Sequence, residues 1–276
     1  MLKKETFADM HTHCEYSHDS VCKMEDMCLA QMERGTKFFA VTDHCDMDSY
    51  TDYDVFSKIK DSYETAIKLK KKYKHQIELL AGVEIGEGFW HPKQCEKILK
   101  LCEYDVVIGS VHLVQYKDLT YAYAKMDFSI LGKETIVEYV DAYFDDMLTM
   151  IENVDFDILA HMTVPLRYIN GKYNVGLDLT PYEQKIDSIL DKIIGKGIAL
   201  EVNTSSYEEL GDFMPSKNIL KRYYDKGGSL ITLGSDAHKS NQASIHFEQA
   251  MEVIKQIGFQ HIYYYKKRKP YAVEVH

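Results

Sequence analysis

Short runs of apolar and β-branched residues recur along the chain, separated by longer stretches with helical periodicity. The runs cover Phe7–His11, Phe38–Thr42, Glu78–Ile85, Asp105–Val111, Asp157–Ala160, Ile198–Asn203 and Leu230–Gly234. Each has the length and composition of a strand buried on both faces. Helix-like stretches lie between them, near 24–34, 54–74, 91–102, 134–152, 182–195, 216–226 and 241–257. In 134–152, Ile136, Val137, Val140, Phe144, Met147, Leu148 and Ile151 fall on one stripe. Thr180 before Pro181 marks a helix start. This alternation predicts an α/β protein with a parallel sheet and crossover helices, either open and doubly wound or closed as a barrel. In both architectures the chemistry sits at the carboxyl ends of the strands. Neither G-x-G-x-x-G nor a P-loop occurs, which argues against dinucleotide and nucleoside-triphosphate binding.

The polar residues fall at those strand ends. The first strand runs into Asp9-Met10-His11-Thr12-His13 and the second ends Thr42-Asp43-His44. The third holds Glu84, the fourth runs into His112, the fifth into His161, the sixth ends at Asn203, and Asp236 and His238 follow the seventh. One such histidine is ordinarily a satisfied structural residue, but a set of them at one end of one sheet converges. Residues i and i+2 of a strand share a face, so Asp9, His11 and His13 are expected to project together, with the carboxylate orienting the imidazoles. Imidazole and carboxylate ligands without cysteine suit a catalytic zinc, iron or manganese centre. A glutamate among histidines can bridge two cations, and two metals about 3.5–4 Å apart can clamp a phosphoryl group.

The ordered set D-x-H-x-H at 9–13, His18, TDH at 42–44, GVE at 82–84, GSVH at 109–112, AH at 160–161 and SDAH at 235–238 resembles the polymerase and histidinol phosphatase (PHP) family. The resemblance implies a distorted (β/α)7 TIM-like barrel and a trinuclear centre. It implies that His11, His13, Glu84 and Asp236 hold a first metal, that Glu84 bridges to a second held by His112 and His161, and that His18, His44 and His238 hold a third. The pieces AHMTVPLRYI, EVNTS and GGSLITLGSDAHKS resemble the histidinol-phosphatase branch, which implies hydrolysis of L-histidinol phosphate in histidine biosynthesis. The alternative is another small phosphate ester: a sugar phosphate, a nucleotide or a phosphotyrosine peptide. Arg167 stands where that branch places a phosphate-binding arginine, whose fork suits phosphate better than lysine does. Asn203 is a further candidate for substrate contact. The expected mechanism is in-line attack by a metal-bridging hydroxide, with Glu84 at the centre and Asp9 and Asp43 as orienters. In one departure, no basic residue follows Asn203 in the run Thr204–Glu209, where members of that branch often carry one.

Charge refines this picture. The chain has 276 residues and a formal net charge of −10, which argues against nonspecific binding to nucleic acid or an anionic membrane. The aromatic–basic tail Tyr263–Lys269 is too short to reverse that. Three divalent cations would nonetheless leave the site positive, because bound ions dominate their surroundings, so a small phosphorylated substrate fits. No apolar stretch approaches a membrane span, and the N-terminus lacks the pattern of a signal peptide. The six cysteines, Cys14 to Cys102, form no C-x-x-C pair and are expected to be reduced, mainly packing thiols in a cytoplasmic protein. The expected organisation is one barrel over residues 1–276, and the sequence is silent on oligomeric state.

Overall fold

The computed structural model describes residues 6–47, 54–117 and 119–276. In chain order the elements are β1 (Ala8–Asp9), α1 (Met24–Arg34), β2 (Phe38–Val41), β3 (His44–Asp46), α2 (Val55–Tyr73), β4 (Glu78–Gly86), α3 (Pro92–Leu99), β5 (Val106–Ser110), β6 (Leu113–Tyr116) and β7 (Leu119–Ala122). There follow α4 (Lys133–Asn153), β8 (Ile158–Leu159), α5 (Glu183–Lys196), β9 (Ala199–Asn203), α6 (Tyr207–Leu210), α7 (Lys217–Asp225), β10 (Ile231–Gly234), α8 (Phe247–Ile257), β11 (His261–Lys266) and β12 (Lys269–Glu274).

The strands β1, β2, β4, β5, β8, β9 and β10 pair in parallel around a ring, and the register Asp9↔Leu233 closes it. The closed alternative is therefore the one formed, a seven-stranded (β/α)7 barrel. Apolar side chains fill the interior, among them Met10, Ala40, Leu80, Ile108, Ile158, Ala160 and Ala199. The helices cover the outside, and the expected stripe of α4 delivers it: Ile136, Val140, Phe144, Met147 and Ile151 are buried, with Val137 and Leu148 packed alongside. Among the described residues no helix is long and apolar enough to cross a membrane.

Several expectations of extent are corrected. The first strand stops at Asp9, not His11: the Asp9 carboxylate accepts from the His11 backbone N–H (3.4 Å), and parallel pairing resumes only as the single bridge Thr12↔Ala237. The last helix starts at Phe247, not 241, because Ser244 (φ 47°) and His246 (φ 59°) are left-handed. Two antiparallel hairpins, β6–β7 and β11–β12, were not anticipated. The second absorbs the aromatic–basic tail: Tyr265 enters the barrel interior and stoppers it. At the turn of this hairpin the Lys267 N–H donates to Asp105 Oδ1 (3.1 Å) and Arg268 Nε donates to Asp157 Oδ2 (2.6 Å). Asp157 is 9% exposed, so Arg268→Ala leaves a nearly buried carboxylate short of its charged partner. The expected loss is about 2 kcal/mol, from hydrogen bonds to charged groups, read by equilibrium urea unfolding.

Candidate metal centre

The site lies where the strands end. Beyond β2 the chain re-enters the sheet as β3, whose register sets His44 beside Glu84 and Asp46 beside Gly86. Gly86 is required there, since a Cβ would overlap the Asp46 carboxylate. Glu84 is completely buried, and His11, His13, His44, His112 and His161 surround it. Its Oε1 lies 3.3 Å from His11 Nε2, 3.2 Å from His112 Nε2 and 3.1 Å from His161 Nε2. Its Oε2 lies 3.5 Å from His13 Nε2 and 2.8 Å from His44 Nδ1. Asp236, left-handed at φ 51°, brings Oδ1 to 3.3 Å from His13 Nε2 and 3.8 Å from His11 Nε2.

The outer nitrogens of these rings are tied down. His11 Nδ1 donates to Glu201 Oε1 (2.7 Å), His112 Nδ1 to Asp46 Oδ1 (2.9 Å), His13 Nδ1 to Ser17 Oγ (3.1 Å) and His238 Nδ1 to the Asp236 carbonyl (2.8 Å). A proton on each Nδ1 leaves each Nε2 lone pair aimed into one volume. The buried atoms His11 Nε2, His13 Nε2, His44 Nδ1, Glu84 Oε2 and His238 Nε2 have no hydrogen-bond partner. Buried polar atoms are normally satisfied, so these are oriented for something that accepts lone pairs.

The electrostatics agree. Burial opposes charge on His11, His44 and His112, but nearby carboxylates outweigh it and hold all three well above the ordinary imidazole range. Burial raises Glu84 too, yet His11, His112 and His44 hold it well below the carboxylate range. His13 is pushed well below its ordinary range by burial and by His44 and His238, which stack on it. The centre therefore requires positive charge, as protons or as cations. Donor atoms of four groups lie close enough to share an ion: His13, His44 and His238; His11, His13 and Asp236; His11, Glu84 and His161; His44, Asp46 and His112. The donor set fits divalent metals of the zinc, iron or manganese class.

The other candidates are placed as follows. His18 stands at the rim, 57% exposed in its side chain, with its ring 5.1 Å from that of His44, and belongs to none of the four groups. Asp43 acts at one remove, because Ser17 Oγ donates to Asp43 Oδ1 (2.7 Å) and accepts from His13. Asp43 also accepts from the Cys14 thiol (2.9 Å), and burial pushes that thiol well up, which suits a packing cysteine. Asp9 does not orient the imidazoles. Met10 points into the barrel, so Asp9 faces the helix layer, where it accepts from Gln31 (2.6 Å), Ser235 (2.6 Å) and the Ser244 N–H (3.2 Å). Glu201 takes the role expected of it. Asn203 is buried, donating to Glu201 Oε2 (3.1 Å) and accepting from Ser205, and does not line the cavity.

Asp46, Glu201 and Asp19 are the residues that sequence reasoning missed. Asp19 Oδ2 lies 3.1 Å from His238 Nε2 and 3.5 Å from His44 Nε2. The strand period was the available signal for two of them: Asp46 is two residues after His44, and Glu201 two before Asn203. Above the centre opens a cavity of about 290 Å³, whose wall includes Asp19, His112, His161, Arg167, Tyr168 and His238. Arg167 begins a π-helical turn, Arg167–Lys172, a distortion frequent at functional sites. It donates to Ser205 Oγ (3.3 Å) and Glu209 Oε1 (3.3 Å).

This barrel, with its histidine- and carboxylate-lined mouth, belongs to the PHP domain family, whose sequence profile matches residues 9–205. Among curated relatives, a Clostridium acetobutylicum protein named "Probable histidinol-phosphatase" is 29% identical over 96% of this chain and 99% of its own. The histidinol-phosphatase of Lactococcus lactis subsp. lactis is 22% identical over 91% of each chain. A crystal structure of histidinol phosphate phosphatase from Lactococcus lactis subsp. lactis, complexed with zinc, L-histidinol and phosphate, superposes with a TM-score of 0.75. It is 20% identical and covers 97% of this chain and 100% of its own.

Proposed function

We propose that this chain is a metal-dependent phosphomonoesterase that hydrolyses L-histidinol phosphate to L-histidinol and phosphate, with three divalent cations at the barrel mouth. The observation that carries the reading is the convergence of five imidazoles on the buried Glu84, with His11 Nε2, His13 Nε2 and His44 Nδ1 left without hydrogen bonds, beside a cavity that Arg167 lines. The names of the curated relatives, and the histidinol and phosphate bound in the Lactococcus lactis structure, support this substrate.

His11, His13, Glu84 and Asp236 would hold one cation, Glu84, His112 and His161 a second, and His44, His238 and His18 a third. Cations bound there supply a water ionised near neutral pH and offset phosphoryl charge. The chain's own residues do the rest. Glu201, Ser17 and Asp46 fix the ring tautomers so that the centre needs no reorganisation. Arg167 presents its guanidinium fork to the phosphoryl oxygens from the cavity wall.

The test is a panel of phosphomonoesters on purified protein, alongside elemental analysis. Histidinol phosphate is expected to exceed sugar phosphates, nucleotides and phosphotyrosine peptides in kcat/KM by about tenfold or more, with about three metal ions per chain. Equal rates across the panel would overturn the substrate, and metal-free active protein would overturn the chemistry.

A further inference from the structure

A second cavity of about 630 Å³ joins the first, and the two share Asp19, Arg167, Tyr168, Asp236 and His238. Its far wall carries Glu208, Glu209 and His246. His246 Nε2 is buried without a hydrogen bond, 3.1 Å from Glu208 Oε1, and its ring packs on Tyr207. Of the lysines on the rim, Lys172 lies over the Tyr173 ring (4.9 Å) and Lys239 is exposed.

Glu209 is placed deliberately. Gly171 in the π-helical turn lets α6 approach so closely that a Cβ there would stand 2.9 Å from Glu209 Cβ. That approach brings the Glu209 carboxylate to 3.3 Å from Arg167. Arg167 is 29% and Glu209 39% exposed, so their pair is weak and exchangeable.

From this geometry we infer that Glu209 is a specificity-determining residue, which pairs with a cationic group carried on the carbon adjacent to the esterified carbon of the substrate. The inference rests on Arg167 taking the phosphoryl group, as in the reading above. When Arg167 turns to phosphate, Glu209 loses its partner, and a neighbouring ammonium on the same ligand replaces it. One internal ion pair is exchanged for two pairs to a zwitterionic substrate. An ester without the ammonium leaves Glu209 unpaired, so the exchange discriminates against it. Glu208 and His246 line the space beyond, where the remainder of the substrate lies.

The test compares kcat/KM for ethanolamine phosphate and ethyl phosphate, and for histidinol phosphate and its des-amino analogue. The native protein is expected to prefer each amine by about tenfold or more. Glu209→Gln is expected to bring both ratios close to one, and Glu209→Asp to keep part of the preference. Native protein without a preference, or a Glu209→Gln variant with the native ratios, overturns the inference. If the ratios depend on Glu209 but histidinol phosphate is no better than sugar phosphates, the substrate assignment fails and the subsite stands. If histidinol phosphate is the best substrate and Glu209→Gln leaves its ratio unchanged, the subsite alone fails.

Discussion

Glu84→Gln is expected to lower turnover by about a thousandfold or more, equivalent to about 4 kcal/mol in the barrier, and to leave the purified protein short of metal. Both carboxylate oxygens face imidazole nitrogens, at 3.1–3.3 Å from His11, His112 and His161 and at 2.8–3.5 Å from His44 and His13. Glutamine offers one neutral oxygen where the site has two anionic ones, and turns an N–H₂ toward nitrogens whose lone pairs point inward. The side chain is wholly buried, so no water can take over. Elemental analysis, turnover and circular dichroism on the same preparation check this. A folded variant with native metal content and turnover within tenfold would remove Glu84 from the centre.

Gly234→Ala is expected to be the most damaging small substitution at the site, although position 234 contributes no ligand. The new Cβ would overlap Glu201 Oε1 and stand 2.8 Å from His11 Cβ. Neither can yield freely: Glu201 accepts from His11 Nδ1, the His161 N–H (2.6 Å) and Asn203 (3.1 Å). Overpacking of this kind costs about 1–3 kcal/mol, and pushing Glu201 off His11 lowers metal affinity by about 10–100-fold. Urea unfolding reads the first effect and metal titration the second. Native values in both would mean that Glu201 can leave His11 without consequence.

The barrel strands and their helices were legible because each strand is an apolar run and each helix carries a 3.6-residue stripe, as in α4. The hairpins were not. In β11 the buried Ile262 and Tyr265 sit among half-exposed tyrosines, and only the contact of Tyr265 with Met10 in the barrel reveals its role. At the mouth, the histidines were readable from their strand-end positions. Their supports were not, because those depend on which way a side chain turns once the strand ends. Asp9 and Glu201 illustrate this. The i, i+2 rule assigned Asp9 to the imidazoles, but Asp9 turns toward Gln31 of α1, and a glutamate from β9 stands behind His11. Asn203 was expected to contact substrate, but it is bonded to Glu201 and Ser205 and does not line the cavity.

The ring closes through Asp9 and Leu233, and this sets an order of events during synthesis. On the ribosome β1 emerges first and has no β10 to join for tens of seconds at usual elongation rates, on the order of 5–20 residues per second. The candidate ligands likewise run from His11 to His238, so a nascent chain carries most of these imidazoles before it has a cage to put them in. On the proposed ligand set, complete metal loading would follow translation of nearly the whole barrel. A chain released before Asp236 would leave both a bare strand edge and loose histidines for quality control to find.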